Sequence, residues 1–136
     1  MKKFAVMVMM MAFVTSACTS GPSVIDAAHN SHNSLAWAGV YTGTIPAADG
    51  AGINVTITLR YDLTYAVEYQ YIGRQSGDFT FAGTFKWNKK GNSITLDTKN
   101  IPPYYRVGEN RLIQLDMAGK PIAGQLAADY VLIKQP

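Results

Sequence analysis

At 136 residues, with 12 Lys and Arg against 9 Asp and Glu, the chain has room for one hydrophobic core and not for two. The net charge of +3 shrinks once Lys2 and Lys3 are assigned to a leader, because 12 less those 2 leaves 10 cations against 9 anions; a near-neutral mature chain gives no sign of nucleic-acid binding. A single cysteine excludes an internal disulfide, so stability must come from packing.

In chain order, Met1-Lys2-Lys3 is a short positive start, and Phe4 to Val14 is an apolar run well short of the roughly 20 residues that cross a bilayer. This reads as an export signal over residues 1–17. The run ends in Val14-Thr15-Ser16-Ala17-Cys18, which resembles a lipobox. The resemblance implies cleavage before Cys18, a diacylglycerol on its thiol and a palmitate-like acyl chain on its amine. The alternative is an ordinary secretory signal cut after Ala17 with a leftover thiol, but an unpaired cysteine in an exported chain needs a specific use and acylation supplies one. Thr19 after the cysteine, where Asp would be the retention signal, points to the outer membrane. Residues 18–34 are small, polar and turn-prone, too poor in apolar surface to order themselves, and are expected to form a tether.

From Leu35 the pattern is short β-type runs punctuated by Gly, Pro, Asn and Asp, so residues 35–136 are expected to form one all-β domain. Leu35 to Ile45 opens it. Ile53, Val55, Ile57 and Leu59 alternate with polar residues, which is the signature of a strand with one buried face. Tyr65, Val67, Tyr69 and Tyr71 repeat this after a turn at Tyr61-Asp62, giving a hairpin. Phe79 to Trp87, Ser93 to Asp97, Tyr104 to Val107, Arg111 to Asp116 and Tyr130 to Lys134 complete eight strands. Every connection is short enough to join sequence neighbours, so the expected architecture is an antiparallel up-and-down meander closing into a small eight-stranded barrel, with a two-sheet sandwich as the alternative. Glycines 39, 43 and 83 fall inside strands, where they mark bends or close backbone approach.

Two stretches carry a resemblance to a known family. The first is Trp37-Ala-Gly39-Val-Tyr41-Thr-Gly43-Thr-Ile-Pro46 followed by Asp49, Gly52 and Ile53; the second is Tyr104-Tyr105-Arg106-Val107, then Leu115-Asp116 and Gly119. They resemble the opening and closing strands of the NlpE N-terminal domain. The resemblance implies a lipocalin-like barrel on an outer-membrane lipoprotein, and a role in copper resistance or in reporting stress to an envelope kinase. In that family a Cys-x-x-Cys motif sits in the loop after the proline, and the matching positions here are Ala47 and Gly50. Neither has the sulfur that Cu(I) binding or a disulfide needs. The larger members also add a second domain for which this chain has no counterpart.

The remaining chemistry is sparse. His29 and His32 are three apart but lie in the tether without an acidic or sulfur partner, and Met117 is a lone thioether, so no metal site and no cofactor are expected. With both histidines outside the domain and the thiol assigned to lipid, no catalytic set can be assembled, and the protein is read as non-enzymatic. The aromatic series from Tyr61 to Trp87 could fill the barrel or line a cavity for a small apolar ligand; core filling is the commoner outcome at this barrel size. Trp37 is expected to plug one barrel end. Two readings follow: an interaction or sensing lipoprotein that meets another envelope protein, and a lipocalin-like carrier. Interior side-chain volume separates them.

Overall fold

A computed structural model describes residues 30–136 except 49 and 74–76. The leader, Cys18, His29 and Asp49 therefore lie outside the described residues. Eight antiparallel strands close into a barrel in sequence order: β1 (Gly39–Ile45), β2 (Ile53–Leu59), β3 (Thr64–Tyr71), β4 (Phe79–Trp87), β5 (Ser93–Leu96), β6 (Tyr104–Gly108), β7 (Arg111–Gln114) and β8 (Val131–Lys134). The up-and-down barrel expected from the alternation is the fold, and the sandwich is not.

Register follows from the buried faces. Tyr41 pairs with Ile57 and Ile57 with Val67, so the inward residues of three successive strands lie in one layer. All the odd-numbered positions of β2 are buried, while Thr56 and Thr58 are only half-covered on the outer wall. The interior is filled by Tyr41, Tyr65, Tyr69, Phe85 and Tyr105 together with Ile, Leu and Val side chains. Gly43 of β1 is required by a close approach. A Cβ there would come within 2.7 Å of Leu132 Cδ2 and 2.9 Å of the Val131 carbonyl oxygen, at the seam where β8 closes the barrel.

Strand lengths are unequal, and this creates a fork. The nine-residue β4 pairs with β3 from Phe79 to Thr84 but with β5 only from Phe85 to Trp87. Phe79, expected on the aromatic face of its strand, is consequently 51% exposed. Asp97, just after β5, stitches the crotch of the fork: its carboxylate accepts from Thr84 N at 3.1 Å and from Thr84 Oγ1 at 3.2 Å, and its own N–H donates to Thr84 O at 3.0 Å. Accepting these bonds holds the Asp97 carboxyl below the usual carboxylate range.

Several boundaries differ from the sequence reading: β5 stops at Leu96 instead of Asp97, β6 runs on to Gly108, and β7 stops at Gln114 instead of Asp116, where the Leu115-Asp116 turn takes over. The opening strand begins at Gly39, and Leu35 to Ala38 lead into it. Tyr130 closes a 3-10 turn, Ala127–Tyr130, instead of starting β8. Most consequentially, the last residues assigned to the tether are folded. Ser31–Ser34 form one helical turn, α1, whose N-terminal cap is the Asn30 side chain. The turn docks because His32 N donates to Gly91 O at 3.0 Å and Ser31 Oγ to Val107 O at 2.8 Å, partners supplied by the barrel. No local composition could announce these partners.

Candidate functional site

The meander gives the barrel two unlike ends. The β2–β3, β4–β5 and β6–β7 connections are tight turns at one end; the described residues that follow β1, β3, β5 and β7 form the longer connections of the other, the loop end. The chain enters at the turn end, where α1 lies against the β4–β5 turn.

At the turn end an aromatic cluster closes the barrel. Trp37 is 4% exposed, and its ring makes edge contacts with Tyr61, Trp87 and Phe85 at centroid separations of 4.9, 5.4 and 5.7 Å. Its Nε1 donates to His32 O at 3.2 Å, and its own carbonyl accepts from the Tyr41 hydroxyl at 2.6 Å. Trp37 thus sits as the plug its position suggested. His32 takes a role that the sequence reading missed: although exposed to solvent, it packs its ring 4.8 Å from that of Trp87.

At the loop end Pro46, Ala47, Gly50 and Gly52 border an open surface groove of about 430 Å³, with Leu126 and Asp129 across from them. The groove is lined by small side chains and backbone and is nearly as polar as it is apolar, and Leu126 stands 54% exposed at its rim. Ala47 and Gly50, where the resemblance would place thiols, offer a methyl group and a hydrogen. Among the described residues no three His, Cys, Asp or Glu side chains come together as a metal cluster. Met117 is 72% exposed in a turn, away from other sulfur among the described residues.

The remaining motif residues divide between the ends and the core. Gly39 begins β1 at the turn end, and Ile53 begins β2 at the loop end. Tyr105 is buried inside, opposite Gln114. Leu115-Asp116 and Gly119 build a turn at the loop end. Asp116 Oδ1 accepts from Ala118 N at 2.9 Å and Lys120 N at 2.8 Å, Gly119 takes φ +75°, and Leu115 bridges to Pro121. Each does work that the fold needs, so the motif marks architecture more than chemistry.

Inside the barrel the Tyr69 and Tyr105 hydroxyls are buried and near enough to influence one another, without being aligned as a hydrogen bond. Burial pushes the Tyr69 phenol up to about 12 and raises Tyr105 well above its ordinary value, the latter also through the neighbouring Tyr69 charge. Both therefore stay neutral at physiological pH. They are part of a filled interior, and a carrier would need that space empty.

Comparison with known proteins follows the same lines. A sequence profile of the NlpE N-terminal domain matches residues 41–125. Lipoprotein NlpE of Escherichia coli (strain K12) is 31% identical over 86 residues, which are 62% of this chain and 36% of that protein. The crystal structure of a Shewanella oneidensis protein described as a lipoprotein matches with a TM-score of 0.72 at 40% identity, over 78% of this chain and 95% of that one. The crystal structure of the Cpx pathway activator NlpE from Escherichia coli matches at 0.54 and 30% identity, over 64% of this chain and 46% of that one. The chain thus spans well under half of the Escherichia coli protein that it matches.

Proposed function

Because this chain belongs to the NlpE N-terminal domain family, we propose that it is an outer-membrane lipoprotein that serves the cell envelope as a non-enzymatic interaction and sensing module. The family match over residues 41–125 is the observation that carries this reading. The relative of known role is named as an activator of the Cpx pathway. Envelope-stress signalling through another envelope protein is accordingly the activity proposed for this chain. A copper role through the loop after Pro46 is not part of the proposal, since a methyl group at Ala47 and a hydrogen at Gly50 cannot ligate Cu(I).

Packing favours this reading over the carrier. Tyr41, Tyr65, Phe85 and Tyr105 are each no more than 2% exposed in the middle of the barrel, and they occupy the volume that an apolar ligand would need. Contact with a partner then falls to the outside, and the loop-end groove with Leu126 at its rim is the surface proposed for it. A photo-crosslinking side chain at Leu126 in the membrane-anchored protein is expected to capture one envelope protein reproducibly. The same group at Thr95, on the outer wall of β5, is expected to capture none. In the same cells Cys18→Ala should come off salt-washed membranes as a folded domain and abolish stress signalling, because an acyl anchor resists salt and a charged contact does not. A variant that stays on salt-washed membranes after export and leader cleavage would defeat the lipoprotein reading.

A further inference from the structure

The near-neutral composition conceals a separation of charge along the barrel axis. Arg60, Lys89 and Lys90 lie in the tight turns, Arg111 begins β7 at the turn end and Lys134 ends β8 there. Lys86 and Arg106 face outward close by, pairing across the sheet with Thr95 and with Ser93 and Ile113. Among the described residues only Asp62 and Glu109 oppose these seven cations, a net of +5. The loop half has the opposite sign among the described residues: Glu68, Asp78, Asp97, Asp116 and Asp129 against Lys99 and Lys120, a net of −3. Strand alternation cannot produce this pattern, because it sorts residues between inside and outside and not between ends.

We propose that the turn end is a membrane-contact surface that seats on anionic phospholipid headgroups. Three observations converge on that occupant. The first is charge complementarity: each cation near a negative leaflet strengthens binding roughly fivefold, and Lys86, Lys89, Lys90, Arg60, Arg106 and Arg111 are all exposed. The second is distance. Seven-residue β1 runs about 23 Å at about 3.3 Å per residue, and a strand tilt of about 40° leaves the barrel roughly 18 Å tall, so the loop carboxylates Asp78, Asp116 and Asp129 lie about two Debye lengths of about 8 Å from a surface touching the basic end. The near cations feel the leaflet while the far anions are screened from it. The third is the route of the chain, which α1 pins to the same end. The 12 residue steps from Cys18 to Asn30 can span at most about 40 Å. Tyr61, 69% exposed, and Leu63, 38% exposed, sit among the cations and present the amphipathic and apolar groups that suit the headgroup boundary.

This arrangement orients the molecule. The basic end faces the bilayer, and the acidic loop end, with its groove, is held outward where a partner can reach it. The proposal rests on the anchored-lipoprotein reading only for the side from which the membrane comes, so its test omits the lipid anchor. The exported chain carrying Cys18→Ser, which cannot be acylated, is mixed with phosphatidylcholine vesicles with and without phosphatidylglycerol. Sedimentation should show binding to the anionic vesicles alone, weakening steeply as salt is raised. Lys89→Glu with Lys90→Glu should lower the partition coefficient by about tenfold or more, and Arg60→Glu should lower it independently. Lys99→Glu with Lys120→Glu at the far end should leave it unchanged. Tyr61→Trp emission should shift to the blue on the anionic vesicles, whereas Phe79→Trp emission should not. Equal binding to neutral and anionic vesicles, or equal loss from both double variants at unaltered thermal midpoints, would overturn the proposal. The mass of the wild-type chain extracted from membranes reports acylation separately, so a missing lipid would sink the anchored reading and leave the vesicle result standing.

Discussion

Tyr41, Tyr69 and Tyr105 bury phenolic hydroxyls in a largely apolar core, and their ionisation ties the stability of the fold to alkaline pH. Tyr41 is pushed up to about 12 by burial and by the neighbouring Tyr61, and Tyr69 to about 12 by burial. A group whose pKa is raised on folding contributes stability that is fully present below its unfolded value, near 10, and is lost as pH rises through the folded one. The denaturant midpoint should therefore hold up to about pH 10 and fall steeply between about 10 and 12. In Tyr69→Phe, which keeps the ring and removes one of these ionisations, the fall over that range should be shallower. A parallel decline in the two proteins would show that Tyr69 ionises as freely folded as unfolded.

The strands β2 and β3 test the register. Ile57 is fully buried between Tyr41 and Val67, and Thr56 lies beside it on the outer wall, opposite Thr42 and Glu68. Ile57→Ala should cost about 2 to 5 kcal/mol through lost burial and the cavity left behind. Thr56→Ala should stay within about 0.5 kcal/mol. The contrast is sharp because a slip of one residue would exchange the two faces completely. Equal losses, read as shifts in midpoint at constant slope, would mean that the outer wall is covered as well, as in an oligomer.

At the scale of the whole molecule, the groove after Pro46 lacks sulfur while the rest of the family architecture is kept. Competition against a Cu(I) chelator should find no submicromolar Cu(I) affinity in the full exported chain. An affinity that tight would require ligands beyond the described residues or a second copy of the chain. The same scale explains the uneven roles of the two ends. Tight turns crowd cations and the incoming chain together, while the longer connections carry carboxylates and an open groove.

The number of strands, their inward faces and the closure into a barrel were legible in the chain because each rests on a local signal. Alternation at period two marks the inward face of β2 at Ile53, Val55, Ile57 and Leu59, and Gly-, Asn- and Asp-rich turns mark where the strands end. The family motif was legible in part for the same reason. Leu115 and Asp116 build a turn from neighbouring residues, whereas Trp37 and Gly43 answer to side chains and backbone far along the chain and were legible as motif residues through the family resemblance alone. Three features were decided only by the tertiary structure. Asn30 to Ser34 read as tether because their composition is polar, and they fold because Gly91 O and Val107 O, far along the chain, accept their hydrogen bonds. The exposure of Phe79 depends on β5 being shorter than β4, a property of two strands together and of neither alone. The separation of charge between the ends stayed hidden in a balanced total, since up-and-down folding sends alternate connections to opposite ends and so sorts charges that the sequence interleaves.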